Sequence, residues 1–552
     1  MTITSQAKDS ARRTELSFTD IPHQSKLFLD YLEDPEGLKK FYLGAISDIA
    51  KIAGRKDEVL DNYKVDRNAL CDVLKEINEA CGCTPQTLEA IERLREKDTV
   101  AIVTGQQAGL FSGPLYTVFK AISAIKLAEK LTREGTKAVP VFWIAEEDHD
   151  FAEVDHTYII DRAGKLTKFE NTPANYRENI PVGNVMLDEG IRETLDELFR
   201  SLPNNEFTAE VRELLTGAYQ KGESYGAAFG RMMTRVFGKY GLVILSPLDK
   251  KLKSLAAPAA AQAIEKWEEI NAALLARGKE LEEAGYHAQV LVEENSFPFF
   301  YFNEKGEREK IKIQNSKFLI DNSEADLSRL KDLALNEPEK FSPNALLRPV
   351  IQDYLLPTLC YFGGGAEISY FAQNSEIYRI LQRPQTPIFY RSSATAVEPH
   401  IRRALESYHL ELKDFFASIE ELYARVVEGF LNRETARDFA EAEEIVNTQM
   451  NRLEQSLLKV DSTLAESVAR RRSKVMYHIA ALRKKFHRAQ IFKDETARRR
   501  LETAVQSLYP QKALQERSLN VVSLMARHGV GLIDRLYENA EIEGKRHRII
   551  YL

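Results

Sequence analysis

Two clusters in this 552-residue chain combine reactive or polar residue types with a spacing that would gather them above one sheet. The first is Thr104-Gly-Gln-Gln-Ala-Gly-Leu-Phe-Ser-Gly113, which follows the apolar run Thr99-Val-Ala-Ile-Val103. Pro114 then suits the first position of a helix, where its missing N–H costs nothing. A turn so placed aims backbone N–H groups and the positive end of the helix dipole at a phosphate or carboxylate above the sheet. Thr104, Gly105, Gln106 and Gly113 are the residues expected to hold that anion. Gln106 and Gln107 offer amide donors and acceptors where plain turns more often use Asn, Asp or Gly. The turn is neither a Walker loop nor a G-x-G-x-x-G, so the competing account is a tight strand-to-helix turn.

The second cluster, Glu146-Glu-Asp-His-Asp150, directly follows the apolar run that ends at Ile144. In an open parallel sheet the carboxyl ends of the strands face the ligand crevice. His149 between Asp148 and Asp150 suits a general base oriented by a carboxylate. Amino-group recognition by carboxylates, a divalent metal and a solvated acidic loop are the other accounts. No second His or Cys stands at a ligand spacing, so no metal is expected, and His156 reads as part of the next strand. Two more segments look like site material. Ser342-Pro-Asn-Ala-Leu-Leu-Arg-Pro349 fixes Asn344 and Arg348 between prolines, as a carboxylate clamp would need. Gly363-Gly-Gly-Ala-Glu-Ile368, with Gly364 and Glu367, is a second glycine-rich turn, where a backbone can approach a ligand closely.

The elements that must position these residues follow from periodicity. Up to about residue 95 apolar residues recur at helical spacing, as at Leu70, Val73, Leu74 and Ile77. Then come a buried strand, the glycine-rich turn, a helix showing Leu115, Val118, Phe119 and Ile122, and a second strand, Val139-Pro-Val-Phe-Trp-Ile144. This βαβ unit implies an α/β fold with a Rossmann-like parallel sheet. Leu242-Val-Ile-Leu245 and the stretch from Leu355 to Phe362 add apolar strands. Residues 286–292 alternate as a strand would, and Phe299-Phe-Tyr-Phe302 with Ile311-Lys-Ile313 reads as a hairpin. The expected organisation is a core over residues 1–395, interrupted at about 155–210 and 282–330, and a helical domain over 396–552. In that domain Val446, Met450, Leu453, Leu457, Val460, Leu464 and Val468 follow a coiled-coil spacing. One helix of about 50 residues would reach roughly 75 Å, so its seam needs another helix of this chain or of a second copy, and a homodimer is expected.

Composition narrows the class. Hydrophobic residues make up 44% and charged residues 29%, as in a globular protein with a large core. A net charge of −7 argues against nucleic acid as partner. The basic run around Arg470-Arg-Arg-Ser-Lys474 reads as a solvated helix face. His287, His400, His409, His478 and His528 have no suggestive neighbours. The start is polar, no apolar run reaches roughly 18 residues, and four cysteines form no C-x-x-C pair; a cytoplasmic protein with reduced thiols and no membrane contact is expected.

With these strings assembled, the chain resembles the cysteine-adding enzymes of bacillithiol synthesis. The resemblance is carried by Val103-Thr-Gly-Gln-Gln-Ala-Gly-Leu-Phe-Ser-Gly-Pro-Leu-Tyr116 with Lys120, by Pro140-Val-Phe-Trp-Ile-Ala-Glu-Glu-Asp-His-Asp150, by Ser342-Pro-Asn344 with Arg348, by Gly363-Gly-Gly-Ala-Glu-Ile-Ser-Tyr370, and by Leu514-Gln-Glu-Arg517. It implies a core related to class I aminoacyl-tRNA synthetases, with inserted segments and a dimerising coiled coil. It also implies a ligase that joins L-cysteine to the amino group of glucosaminyl-malate. A carboxylate is a poor electrophile and must be activated, for which ATP is the candidate cofactor, although the missing synthetase signatures count against adenylation. His149, oriented by Asp148 or Asp150, would then take the amine proton, and Arg348 with Asn344 would clamp the malyl carboxylates. Gln107, Tyr116, Lys120, Gly364 and Glu367 would complete the binding site. The synthetase signatures His-Ile-Gly-His and Lys-Met-Ser-Lys-Ser are missing: Gly113-Pro-Leu-Tyr116 stands in place of the first, and Arg391-Ser-Ser393 is a faint echo of the second. An amino-acid-activating nucleotidyltransferase with another substrate, and a non-enzymatic coiled-coil scaffold, are the alternatives.

Overall fold

The computed structural model describes residues 14–42, 48–314, 317–321 and 323–552. The five apolar runs that form the central sheet are β1 (Val100–Gln106), β2 (Ala138–Ile144), β3 (Val243–Leu245), β4 (Thr358–Gly363) and β5 (Ile388–Tyr390). They lie in the order β3-β2-β1-β4-β5, and every neighbouring pair is parallel. β2 and β4 are buried at every residue and β1 at all but its last, which is why they read as unbroken apolar runs. After β1 the chain fills one side of the sheet with β2 and β3, then crosses to the other with β4 and β5. The crevice therefore opens between the carboxyl ends of β1 and β4, the topological switch point. β5 is only three residues long and carries no periodicity that would reveal it in the sequence.

The helices that bring side chains to that crevice include α1 (Tyr116–Arg133), α2 (Arg348–Leu355) and α3 (Gly365–Ile380). The helix after the first glycine-rich turn thus begins at Tyr116, two residues later than Pro114 suggested. Between β2 and β3 the chain forms an antiparallel pair, His156–Ile160 with Leu166–Glu170, and then helices that include Gly190–Ser201 and Glu206–Ala218. Between β3 and β4 come two small antiparallel sheets. In one, Phe299–Phe302 lies between Arg308–Lys310 and Phe341–Pro343; the other holds Lys312–Gln314, Lys317–Ile320 and Ser323–Ala325.

Here two sequence expectations are corrected. Phe299–Phe302 pairs with Arg308–Lys310, not with Ile311-Lys-Ile313. Asn303 explains this, because its Oδ1 accepts the N–H groups of Lys305 (2.9 Å) and Glu307 (3.0 Å), closing the turn early. Residues 286–292 form no strand. Val290 instead gives its N–H to Gln373 Oε1 (2.9 Å) and receives Gln373 Nε2 at its carbonyl (2.8 Å), so one side chain replaces a ladder partner.

The described chain forms two compact units, residues 14–395 with 516–550, and residues 396–515 with 551–552. Residues 516–550, within the span 396–552 read from the sequence as a helical domain, pack with the unit of the parallel sheet. The coiled-coil seam is broken. α4 (Arg433–Leu458) ends, and α5 (Ser462–Lys493) starts after Asp461, whose side chain accepts the Thr463 N–H at 2.7 Å as an N-cap. Val460, placed in the seam by its spacing, is 76% exposed in the turn. The two helices pair with each other: Phe439 meets Phe486 with ring centroids 5.4 Å apart, and Arg483 bonds Glu443 at 2.8 Å. Among the described residues no helix is long and apolar enough to cross a membrane.

Candidate active site

A cleft of about 1280 Å³ lies over the carboxyl ends of β1 and β4. Part of its lining is cationic. Lys120, on α1, points back to the end of β1, where its ammonium donates to the Gly105 carbonyl (2.8 Å) and Gln106 Oε1 (2.9 Å). Gly105 permits this close packing, because a Cβ there would stand 2.7 Å from the Trp143 carbonyl oxygen of β2. Lys120 also pairs with Glu367 Oε2 at 2.5 Å, joining α1 to the first turn of α3. Glu367 accepts in addition the Tyr361 hydroxyl (2.7 Å) and the Gly364 N–H (2.7 Å). Burial works to raise the Glu367 carboxyl, but the Lys120 ammonium and these two donors hold it below its ordinary value. Burial pulls Lys120 down.

Arg348 opens α2 and donates to the Tyr370 hydroxyl (2.8 Å) and Gln352 Oε1 (3.0 Å). Asn344 sets up that helix by accepting the N–H groups of Leu346 (3.1 Å) and Leu347 (2.9 Å), so its carbonyl oxygen shapes the turn that presents Arg348. Arg391 and Arg517 also line the cleft. Arg391 is bound to Glu516 at 2.8 Å, whereas no carboxylate among the described residues lies within ion-pair distance of Arg348 or Arg517. Two cleft arginines without an anionic partner suit a ligand that brings carboxylates or phosphates.

The same cleft carries the acidic cluster. Gln107 Nε2 joins the two sequence clusters by donating to Asp148 Oδ2 (3.3 Å) and Glu153 Oε2 (2.7 Å). Glu147 forms a buried pair with Lys253, and exposed Asp150 has no cationic partner among the described residues. Asp148 does not orient His149 as the sequence suggested, for its Oδ1 is 3.8 Å from His149 Nδ1. Arg308, from the small sheet, donates instead to Nδ1 (3.2 Å) and to Asp148 Oδ1 (3.3 Å). Burial first, and the Arg308 charge next, lower the His149 pKa against the pull of Asp148 and Asp150.

Glu146 is buried and accepts the Ser246 hydroxyl. Burial and the neighbouring Glu147 charge push it up to about 7. A carboxyl raised in the fold adds stability below its unfolded pKa and loses it as pH rises through the folded one. Glu146→Gln should accordingly raise stability at pH about 8 by about 2–3 kcal/mol relative to the native protein, with little gain near pH 5. Urea midpoints at the two pH values check this; an equal effect at both would refute it.

Of the residues singled out in the sequence, Gly105, Gln106, Gln107, Tyr116, Lys120, Asp148, His149, Asp150, Asn344, Arg348, Gly364 and Glu367 line the cleft together. Thr104 and Gly113 do not. Thr104 is fully buried and its hydroxyl donates to the Phe362 carbonyl (2.8 Å), tying β1 to β4. Gly113 (φ 68°) closes a loop whose carbonyls, at Phe111 and Gly113, each accept Asn520 Nδ2 at 2.8 Å. The Leu115 N–H just beyond goes to the Leu519 carbonyl (2.7 Å), so this end of α1 is occupied by the protein itself rather than presented to an anion. Arg308, Lys253 and Tyr361 were missed, and Arg391, Arg517 and Tyr370 entered only as parts of strings. Among the described residues no group of three or more His, Cys, Asp or Glu could hold a metal ion, and none of the four unpaired cysteines lines the cleft.

Comparison with known families decides the lineage. Residues 14–392 match the model described as bacillithiol biosynthesis BshC, N-terminal Rossmann-like domain, and residues 394–552 that of the BshC C-terminal coiled-coil domain. The chain belongs to the bacillithiol biosynthesis BshC family. Its relatives include a Koribacter versatilis protein, 37% identical over 97% of this chain and 99% of its own, named "Putative cysteine ligase BshC". Proteins of the same name from Solibacter usitatus (33% identical, covering 96% and 98%) and Salinibacter ruber (34%, covering 95% and 96%) are similar over their full span. Membership in the BshC family thus joins a parallel-sheet core and a helical hairpin in one chain, with the cleft in the unit that contains the sheet.

Proposed function

We propose that this BshC-family protein is a cysteine ligase that forms an amide between the carboxyl group of L-cysteine and the amino group of glucosaminyl-malate, in the cytoplasm. The observation that carries this reading is the gathering of cationic and acidic side chains in one cleft. Among the described residues no carboxylate pairs with Arg348 or Arg517, and the two arginines suit the two carboxylates of a malyl group. In the same cleft Asp148, Asp150 and Glu153 suit the amine of the sugar. Asp150, with no cationic partner among the described residues, would accept the proton the amine sheds. A carboxylate is a poor electrophile, and ATP is the proposed activator; Lys120, Arg391 and the Gly364-Gly365 turn would hold its phosphates. Exchange of labelled pyrophosphate into ATP tests the activation step. Exchange that requires cysteine supports the assignment, and exchange driven by another amino acid in its place sinks it.

The protein is further proposed to be a homodimer through its helical hairpin. Leu453, Leu464, Leu482 and Phe492 of α4 and α5 are 48%, 46%, 58% and 57% exposed, large apolar side chains of the kind that a second copy covers. Light scattering should give twice the chain mass of 62.9 kDa. The double substitution Leu464→Glu with Leu482→Glu should bring it to one chain; a native protein that is already monomeric refutes the proposal.

A further inference from the structure

A guanidinium has donors only, so the imidazole nitrogen that faces one must present its lone pair. Arg308 Nη1 stands 3.2 Å from His149 Nδ1, and the proton of the neutral ring must then sit on Nε2. Arg308 is not free to swing away. Its guanidinium lies 3.7 Å from the centroid of the Phe300 ring, its Nε donates to Ser342 Oγ (3.1 Å), and its Nη2 reaches the Pro343 carbonyl (3.4 Å). The register of the small sheet makes this possible: Arg308 lies opposite Phe302 and Ser342 opposite Phe300, so the side chain spans the middle strand. Asp148 Oδ1 could compete for Nδ1, but it is 3.8 Å away and already accepts the His149 backbone N–H at 2.8 Å and Arg308 at 3.3 Å. The groups facing the ring are therefore Arg308, Asp148, Asp150 and the Phe300 ring at 6.2 Å.

We propose that Arg308 is a positioning residue that locks His149 in the Nε2–H tautomer, so that His149 meets its ligand as a hydrogen-bond donor and not as a base. No proton is transferred to or from His149 in this arrangement. The tautomer follows from the geometry of the cleft alone; its use in amide formation rests on the function proposed above. With Nδ1 committed to a cation and Nε2 already protonated, the amine proton goes to a carboxylate, for which Asp150 is the available group.

Nitrogen-15 spectra of the histidine-labelled full-length protein test the lock without any activity assay. Near neutral pH, His149 should show an unprotonated Nδ1 and a protonated Nε2. Arg308→Leu should shift both signals toward the mixed values of a free imidazole and raise the pH at which the ring titrates, because a cation has gone; Arg308→Lys, still a donor, should restore part of the native pattern. A native spectrum with the proton on Nδ1, or His149 signals that Arg308→Leu leaves unmoved, overturns the proposal, and the native spectrum alone decides should the leucine variant not fold. For the role in turnover, His149→Gln keeps an N–H but no base. It should retain activity within about tenfold, while His149→Ala loses roughly 100- to 1000-fold, as for the removal of one preorganised donor. Equal losses in the two variants, with the tautomer as stated, would refute the donor role and leave the lock standing.

Discussion

Replacing Lys120 by methionine should destabilise the protein by about 3–5 kcal/mol, because it leaves the Glu367 carboxylate without its cation in a site nearly closed to water. Glu367 is 17% exposed and Lys120 only 4%, so neither charge has much recourse to solvent. The loss should depend on pH in a defined direction. In the native protein Glu367 is held below its ordinary value, so it adds stability above the unfolded carboxyl pKa that fades as pH falls. Without Lys120, burial prevails over the Tyr361 hydroxyl and the Gly364 N–H, and the carboxyl rises above its unfolded value. The variant is then most stable in acid and weakens as pH climbs. Urea unfolding should show a wider gap between native and variant at about pH 8 than at about pH 5. Adding Glu367→Gln should recover much of the loss, since removing both charges strands neither. A gap equal at the two pH values would mean that Glu367 does not depend on Lys120 for its charge.

Arg348→Ala should act on turnover more than on folding. Among the described residues no carboxylate pairs with Arg348, so its removal strands no buried anion there and costs two hydrogen bonds, to Tyr370 and Gln352. If it grips a substrate carboxylate, truncation should lower kcat/KM by about 2–5 kcal/mol, roughly a factor of 30 to several thousand. Arg348→Lys keeps the charge but loses the planar fork and should fall between the two. Steady-state kinetics beside a melting curve separate the effects. An unchanged kcat/KM would remove Arg348 from the carboxylate site.

Much of this site could be read before the fold was known, for a physical reason. β1, β2 and β4 are buried on both faces and so appear as apolar runs, and the residues just past their ends reach the crevice. Gln106, Gln107, Asp148, His149, Gly364 and Glu367 all stand there, and Lys120 lies one helical turn into the helix that follows β1. Thr104 was misjudged because it sits inside the sheet, before the strand ends. Gly113 was misjudged because residues 519 and 520, far along the chain, fill the space an anion would take. Arg308 gave no signal at all. It lies 160 residues from Asp148, in the charged string Glu307-Arg-Glu-Lys310 that reads as surface, and only the pairing of three short strands turns it inward. In the helical hairpin the apolar spacing runs through Leu457, Val460 and Leu464 without a flaw, so periodicity favours one long helix. The break was marked only by Asp461 and the residues after it, a cap that competes with a continuous seam.

The central claim is that the cleft makes an amide from cysteine and glucosaminyl-malate. The most direct measurement is mass spectrometry of the purified protein incubated with L-cysteine, glucosaminyl-malate and ATP, with Arg348→Ala run in parallel. A mass equal to the two substrates joined with loss of water, formed by the native protein and sharply reduced in the variant, is the predicted result. Folded native protein that yields no such product, or a variant that forms it as fast, would contradict the account.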